Sequence, residues 1–338
     1  MHYNPAPDGL RALSVLAVVF FHCKIPGASG GYAGLDMFFV LSGYLITSLL
    51  VRELQQGGGI AIGRFYARRA LRLYPTLLLM LAAYIGLAPI LWPTENRWIN
   101  ASLSAAYVMD YAMAFIWDLP PTVAHTWSLG VEEKFYLLWP LLLPLVLRTR
   151  RPVAWLLAIF LAVTAWRYGV ALQWGWRQAY FSFDTRMSGI VLGAVAALAR
   201  PRMTAITVAV ACVALAFAVT VPFMPAPPFH REVVAVTLSI TLAELCAFVL
   251  VCHAADHERS RLLAARPMAY IGRLSYGIFI WHFPLVCALG ARNTPAWTLL
   301  AAALPFSFVM AAICLHLVDM PIKRWRERTW SLVRREAS

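Results

Sequence analysis

An arginine and a histidine stand eleven positions apart in the first strongly apolar run, DGLRALSVLAVVFFH, as Arg11 and His22. At about 100° per residue that separation puts both on one face of a helix, about 16 Å apart along its axis. A guanidinium suits phosphate and a neutral imidazole suits proton abstraction, so the pair could serve two ends of one path. Asp36, in GLDMFFVLSGY after a short glycine-rich turn, is expected at the depth of His22. A carboxylate there could accept from one imidazole nitrogen and leave the other as a base. Ser42 and Gly43 are small enough to let two helices approach closely, which is read as their role.

Arg69 and Arg72 share a helical face in RFYARRALRLYP and suit phosphate through bidentate pairing. In HTWSLGVEEKFYLLWP, His125, Ser128 and Glu132 follow one helical stripe. Glu133 and Lys134 continue it into apolar sequence, where charges need a partner or a cavity. Asp184 and Arg186 stand at the entrance of a later apolar run, and His282 lies in SYGIFIWHFP. These residues divide into an inner arginine layer and an outer layer of His, Asp and Glu. Glu244, His316 and Asp319 are read as structural. No spacing matches a metal-ligand set, and the six cysteines sit in or beside apolar runs as small hydrophobes, neither disulfides nor ligands.

The elements that would position these groups are membrane helices. Of 338 residues 61% are hydrophobic and only 13% charged, with a mean hydropathy of +0.67. A soluble chain would carry roughly a quarter charged residues. Ten stretches suit spanning helices: 10–25, 32–51, 73–92, 126–147, 153–170, 181–199, 203–221, 232–252, 270–290 and 297–318. With both termini cytoplasmic, the inner connections collect Arg64, Arg68, Arg148, Arg150, Arg200, Arg202, Arg259, Arg261 and the tail arginines to Arg335. The outer connections keep only Lys24, Arg97, Arg167, Arg177, Arg231 and Arg292. The net charge of +13 is therefore a topology signal, and nucleic acid is not an expected partner. Spanning by 98–117 would put RTRR (148–151) outside, so 93–125 is read as an external loop with an interfacial or re-entrant segment. The reading is an all-α, multi-pass inner-membrane domain over 1–320 and a short basic cytoplasmic tail over 321–338. No cleavable leader and no further soluble domain is expected.

Five stretches together resemble acyltransferase family 3: DGLR with the gap to His22, GLDMFFVLSGY, RALRLYP, WSLGVEEKFY with Trp127, and SYGIFIWHFP. The resemblance runs from about residue 8 to about 320. It implies a bacterial-type membrane enzyme that moves an acyl group, often acetyl, from cytoplasmic acyl-CoA to a hydroxyl of an extracytoplasmic or lipid-linked glycan. Acyl-CoA is then a co-substrate, with no permanently bound cofactor and no metal. The resemblance puts Arg11 and His22 at the reaction centre, His22 either as general base or as a transient acyl carrier. Asp36, Glu132 and Glu133 join it, Arg11, Arg69 and Arg72 take the donor, and His125, Trp127, Ser128, Asp184, Arg186 and His282 serve the acceptor side or the scaffold. Any second transfer step would fall to a separate periplasmic transferase or esterase partner. A proton-coupled transporter would use similar buried groups, but no inverted repeat is visible.

Overall fold

The computed structural model describes residues 3–57, 59–116, 122–220, 233, 235–256, 260 and 262–336, with side chains up to 329 apart from that of Ala235. Among these residues every regular element is helical. Helix α1 (Ala6–His22) opens with Pro7 in its first turn, where a missing N–H costs nothing. It ends at a turn in which Lys24 and Gly27 take left-handed backbone angles, and the chain reverses into α2 (Ala33–Gly57). Then follow α3 (Ile62–Leu91), the short α4 (Arg97–Ala105) and α5 (Met109–Phe115), and α6 (Trp127–Leu147) behind one 3-10 turn. The remainder is α7 (Pro152–Gln173), α8 (Trp176–Phe181), α9 (Phe183–Arg186), α10 (Ser188–Ala199), α11 (Ala205–Thr220), α12 (Ile240–Asp256), α13 (Arg266–Gly290), α14 (Ala296–Ile313) and α15 (Met320–Glu336).

Among the described residues, six helical stretches are long and apolar enough to cross a bilayer by themselves: Ala33–Gly57, Ile62–Leu91, Pro152–Gln173, Val236–Asp256, Arg266–Gly290 and Ala296–Thr329. The other expected spans are helical but shorter, broken or charged. α1 has 17 residues, α11 has 16, and α6 carries Glu132, Glu133 and Lys134 near its start. The expected single helix 181–199 is corrected to three pieces, because Ser182 is extended (ψ 143°) and α10 starts only at Ser188. Apolar side chains on α7 and α11, such as Leu161, Val213 and Phe217, face outward, as lipid contact requires.

At the centre, α2 lies against α10 and α1 against α13. A Cβ on Gly43 would meet the Ile190 carbonyl at 1.8 Å, and one on Gly193 the Val40 carbonyl at 2.0 Å. Only glycines permit this backbone contact, which fixes α10 and its entry residue Arg186 beside α2.

The segment 98–117 does not form one helix; its nine- and seven-residue pieces reach at most about 14 Å each. Lys134 Nζ pins it to α6, donating to the Tyr107 carbonyl and to Asp110 Oδ1, each at 2.7 Å. Residues 117–121 of that loop fall outside the described set, as do Arg231, Arg259 and Arg261 and the side chains of Arg334 and Arg335.

Candidate active site

Three imidazoles meet where α1, α6 and α13 converge. His22, at the last turn of α1, places Nδ1 2.8 Å from Nε2 of His282. His282 is fully buried, and its Nδ1 lies 2.8 Å from the Phe279 carbonyl and 3.1 Å from the Ile278 carbonyl. His125, in the turn ahead of α6, donates from Nε2 to the Ile280 carbonyl at 3.1 Å. Pro284 explains why that carbonyl is available: a proline has no N–H to return to the residue four positions back. Burial, with His282 alongside as a secondary cause, holds His125 well below the ordinary imidazole range, so it is neutral. Its Nδ1 is buried without a hydrogen-bond partner among the described residues. Phe283 packs against His22 and His125, with ring centroids at 4.5 and 5.1 Å.

Below this cluster a cavity of about 330 Å³ opens between α2, α3, α6 and α13. Its lower end is lined by Arg11, Arg69 and Arg72, and its upper end by Ser128 and Phe279. Phe279 also contacts the rings of His125 and His282, at 5.4 and 5.8 Å, so cavity and histidines share a wall. The guanidinium of Arg69 stacks 3.4 Å from the Tyr136 ring and lies 3.4 Å from Glu133. Arg11 pairs with Asp8 at 2.9 Å. Arg72 is open to the cavity and makes no ion pair among the described residues, which leaves its five donors for an incoming anion. Since α1 is continuous from Arg11 to His22, the floor and the histidines are separated by about 16 Å along its axis.

Several expectations are corrected. Asp36 does not touch His22. It pairs with Arg186 at 2.8 Å, both side chains fully buried, and Arg186 is boxed by Phe39, Trp127 and Tyr180. The imidazole partner of His22 is instead His282, 260 residues away in the chain. Glu132 and Glu133 belong to the arginine layer, not the outer one. Glu132 accepts from Ser42 at 3.0 Å and Tyr136 at 3.2 Å, and Glu133 faces Arg69. Ser42 is thus a hydrogen-bond donor as well as a small contact residue. Ser128 lines the cavity and bonds the His125 carbonyl at 3.4 Å, while Trp127 is a wall of the Arg186 box. Asp184 accepts from Trp166 at 2.6 Å, away from the cluster. Arg167 was expected in an outer connection but is buried in α7. It makes a two-armed pair with Glu244 at 3.1 and 3.2 Å, shared with Ser188. Tyr136, Phe279 and Pro284 also stand in the motifs WSLGVEEKFY and SYGIFIWHFP, but as apolar or aromatic residues they carry no chemical signal of their own in the sequence.

Apolar helices enclosing a cation-floored cavity and a buried histidine cluster define a multi-pass membrane protein with an internal polar centre. A family model described as an acyltransferase domain, acyltransferase family 3, matches residues 4–318, and the chain belongs to that family. It is 26% identical to the peptidoglycan O-acetyltransferase OatA of Listeria monocytogenes, over 95% of this chain and 56% of that protein. It is also 26% identical to the O-acetyltransferase OatA of Staphylococcus aureus, over 95% of this chain and 57% of that one. The chain therefore spans a little over half the length of these relatives. No solved structure matches it.

Proposed function

We propose that the chain is a membrane O-acyltransferase moving an acyl group, acetyl by preference, from cytoplasmic acyl-CoA to a hydroxyl of a cell-envelope glycan on the far side. The observation that carries this reading is one cavity with arginines at its floor and histidines against its upper wall. Donor phosphates bind Arg11, Arg69 and Arg72 as charge-assisted pairs. The pantetheine arm follows the apolar lining of Leu35, Phe38, Leu45 and Ile46 toward the histidines, and the 16 Å between layers suits its reach.

His22 takes the proton of the acceptor hydroxyl as that oxygen attacks the thioester carbonyl. The tetrahedral intermediate collapses with cleavage of the C–S bond, and the departing thiolate takes up the proton that His22 holds. Family membership and the relatives' peptidoglycan chemistry support a glycan acceptor. Both chain ends are cytoplasmic in this reading, as the basic inner connections favour. Inverted vesicles given radiolabelled acetyl-CoA test it: label should appear on polymeric or lipid-linked sugar with the wild type and be absent with His22→Gln. Equal labelling by both would reject the reading.

A further inference from the structure

The hydrogen bonds around His282 have only one consistent direction. A carbonyl oxygen can only accept, so the Nδ1 facing the Phe279 and Ile278 carbonyls carries a proton. No carboxylate or guanidinium contacts this ring among the described residues; its ring neighbours are His22, His125, Phe279 and Phe283. A second proton on Nε2 would leave a cation without a counter-charge in a fully buried site, a costly arrangement. Nε2 of His282 is therefore a lone pair. The atom 2.8 Å from it, Nδ1 of His22, has to donate. A neutral His22 is then protonated at Nδ1 and bare at Nε2, the form in which it can act as a base.

We infer that His282 is a positioning residue, relaying the proton pattern of two helix carbonyls to His22 and fixing Nε2 of His22 as the base atom. This rests on the acyl-transfer reading of His22. The relay takes the place that a carboxylate fills in many base–orienter pairs, with one difference of chemistry. A neutral imidazole fixes the tautomer without adding an anion, so it does not raise the basicity of His22 by charge. Asp36, which could have supplied an anion, is committed to Arg186 instead. The two rings lie nearly parallel, 21° apart with centroids at 5.1 Å, and Phe283 closes against His22, which leaves little freedom for the ring to flip.

Nitrogen-15 spectra of histidine-labelled protein in detergent micelles test this directly, with the His22 signal identified by its loss in His22→Gln. The wild type should show His22 protonated at Nδ1. His282→Phe should shift it toward the Nε2–H form that an unconstrained imidazole prefers. In His282→Gln the amide oxygen can replace Nε2 as acceptor while the amide N–H meets the carbonyls, so the Nδ1–H form should be kept. Acetyl transfer should fall by at least about tenfold in His282→Phe, part of the about hundredfold or more that general-base catalysis supplies. KM for acetyl-CoA should stay unchanged, and His282→Gln should recover most of the rate. An Nε2–H tautomer in the wild type, or no change in His282→Phe, would overturn the positioning role. Normal transfer by His22→Gln would overturn the base assignment instead, and the spectra would show separately whether the relay exists.

Discussion

Among the described residues, some charged side chains of this bundle are held in buried pairs and others stand open to the cavity, and the difference separates scaffold from chemistry. Asp36–Arg186 and Arg167–Glu244 are fully buried pairs outside the cavity lining. Removing one member leaves the other as an uncompensated buried charge, so Asp36→Asn should destabilise the fold by about 3–5 kcal/mol. Thermal unfolding in detergent would show that as a lowered midpoint. An unchanged midpoint with lost transfer would return Asp36 to the catalytic group. Arg72 is the opposite case, an arginine open to the cavity. Arg72→Ala should raise the KM for acetyl-CoA with little change in unfolding midpoint, and Arg72→Lys should rescue only partly, because the two-pronged contact is lost. Unchanged CoA affinity in a folded Arg72→Ala protein would reduce this residue to a topology signal.

At the scale of the helix, apolar runs and small-residue contacts are legible in the sequence itself. The small Gly43 marks a site of close approach, and it packs against the Ile190 carbonyl of α10. Gly43→Leu should therefore lower stability by at least about 2 kcal/mol, measured as loss of folded monomer in detergent, because backbone cannot yield as a flexible side chain would. Period and spacing also put Arg11 with His22 and Arg69 with Arg72, since those relations lie within one helix. Pairings between helices were not legible. Nothing in the local sequence says that His22 meets His282 while Asp36 turns to Arg186, because helix rotation and neighbour choice are set by packing over the whole bundle. Arg167 shows the same limit: its position near a helix end reads as a loop charge until α12 brings Glu244 to it. The break at Ser182 was hidden because an apolar run does not reveal where its helix is interrupted.

For the molecule as a whole, the central claim is that donor and acceptor meet from opposite faces of the membrane. Orientation can be fixed first with single cysteines in a cysteine-free background. The exposed Gln56, in the last turn of α2, should react with an impermeant maleimide only in inverted vesicles when changed to cysteine. The exposed Thr94, ahead of α4, should react only in right-side-out cells. The decisive measurement compares radiolabelled acetyl-CoA, which does not cross lipid, supplied to inverted and to right-side-out vesicles of the same preparation. Transfer through the bundle predicts glycan labelling in the inverted vesicles alone, with the labelled sugar inside and protected from added glycan hydrolase until detergent is present. Labelling of right-side-out vesicles, or of sugar on the same face as the donor, would contradict it.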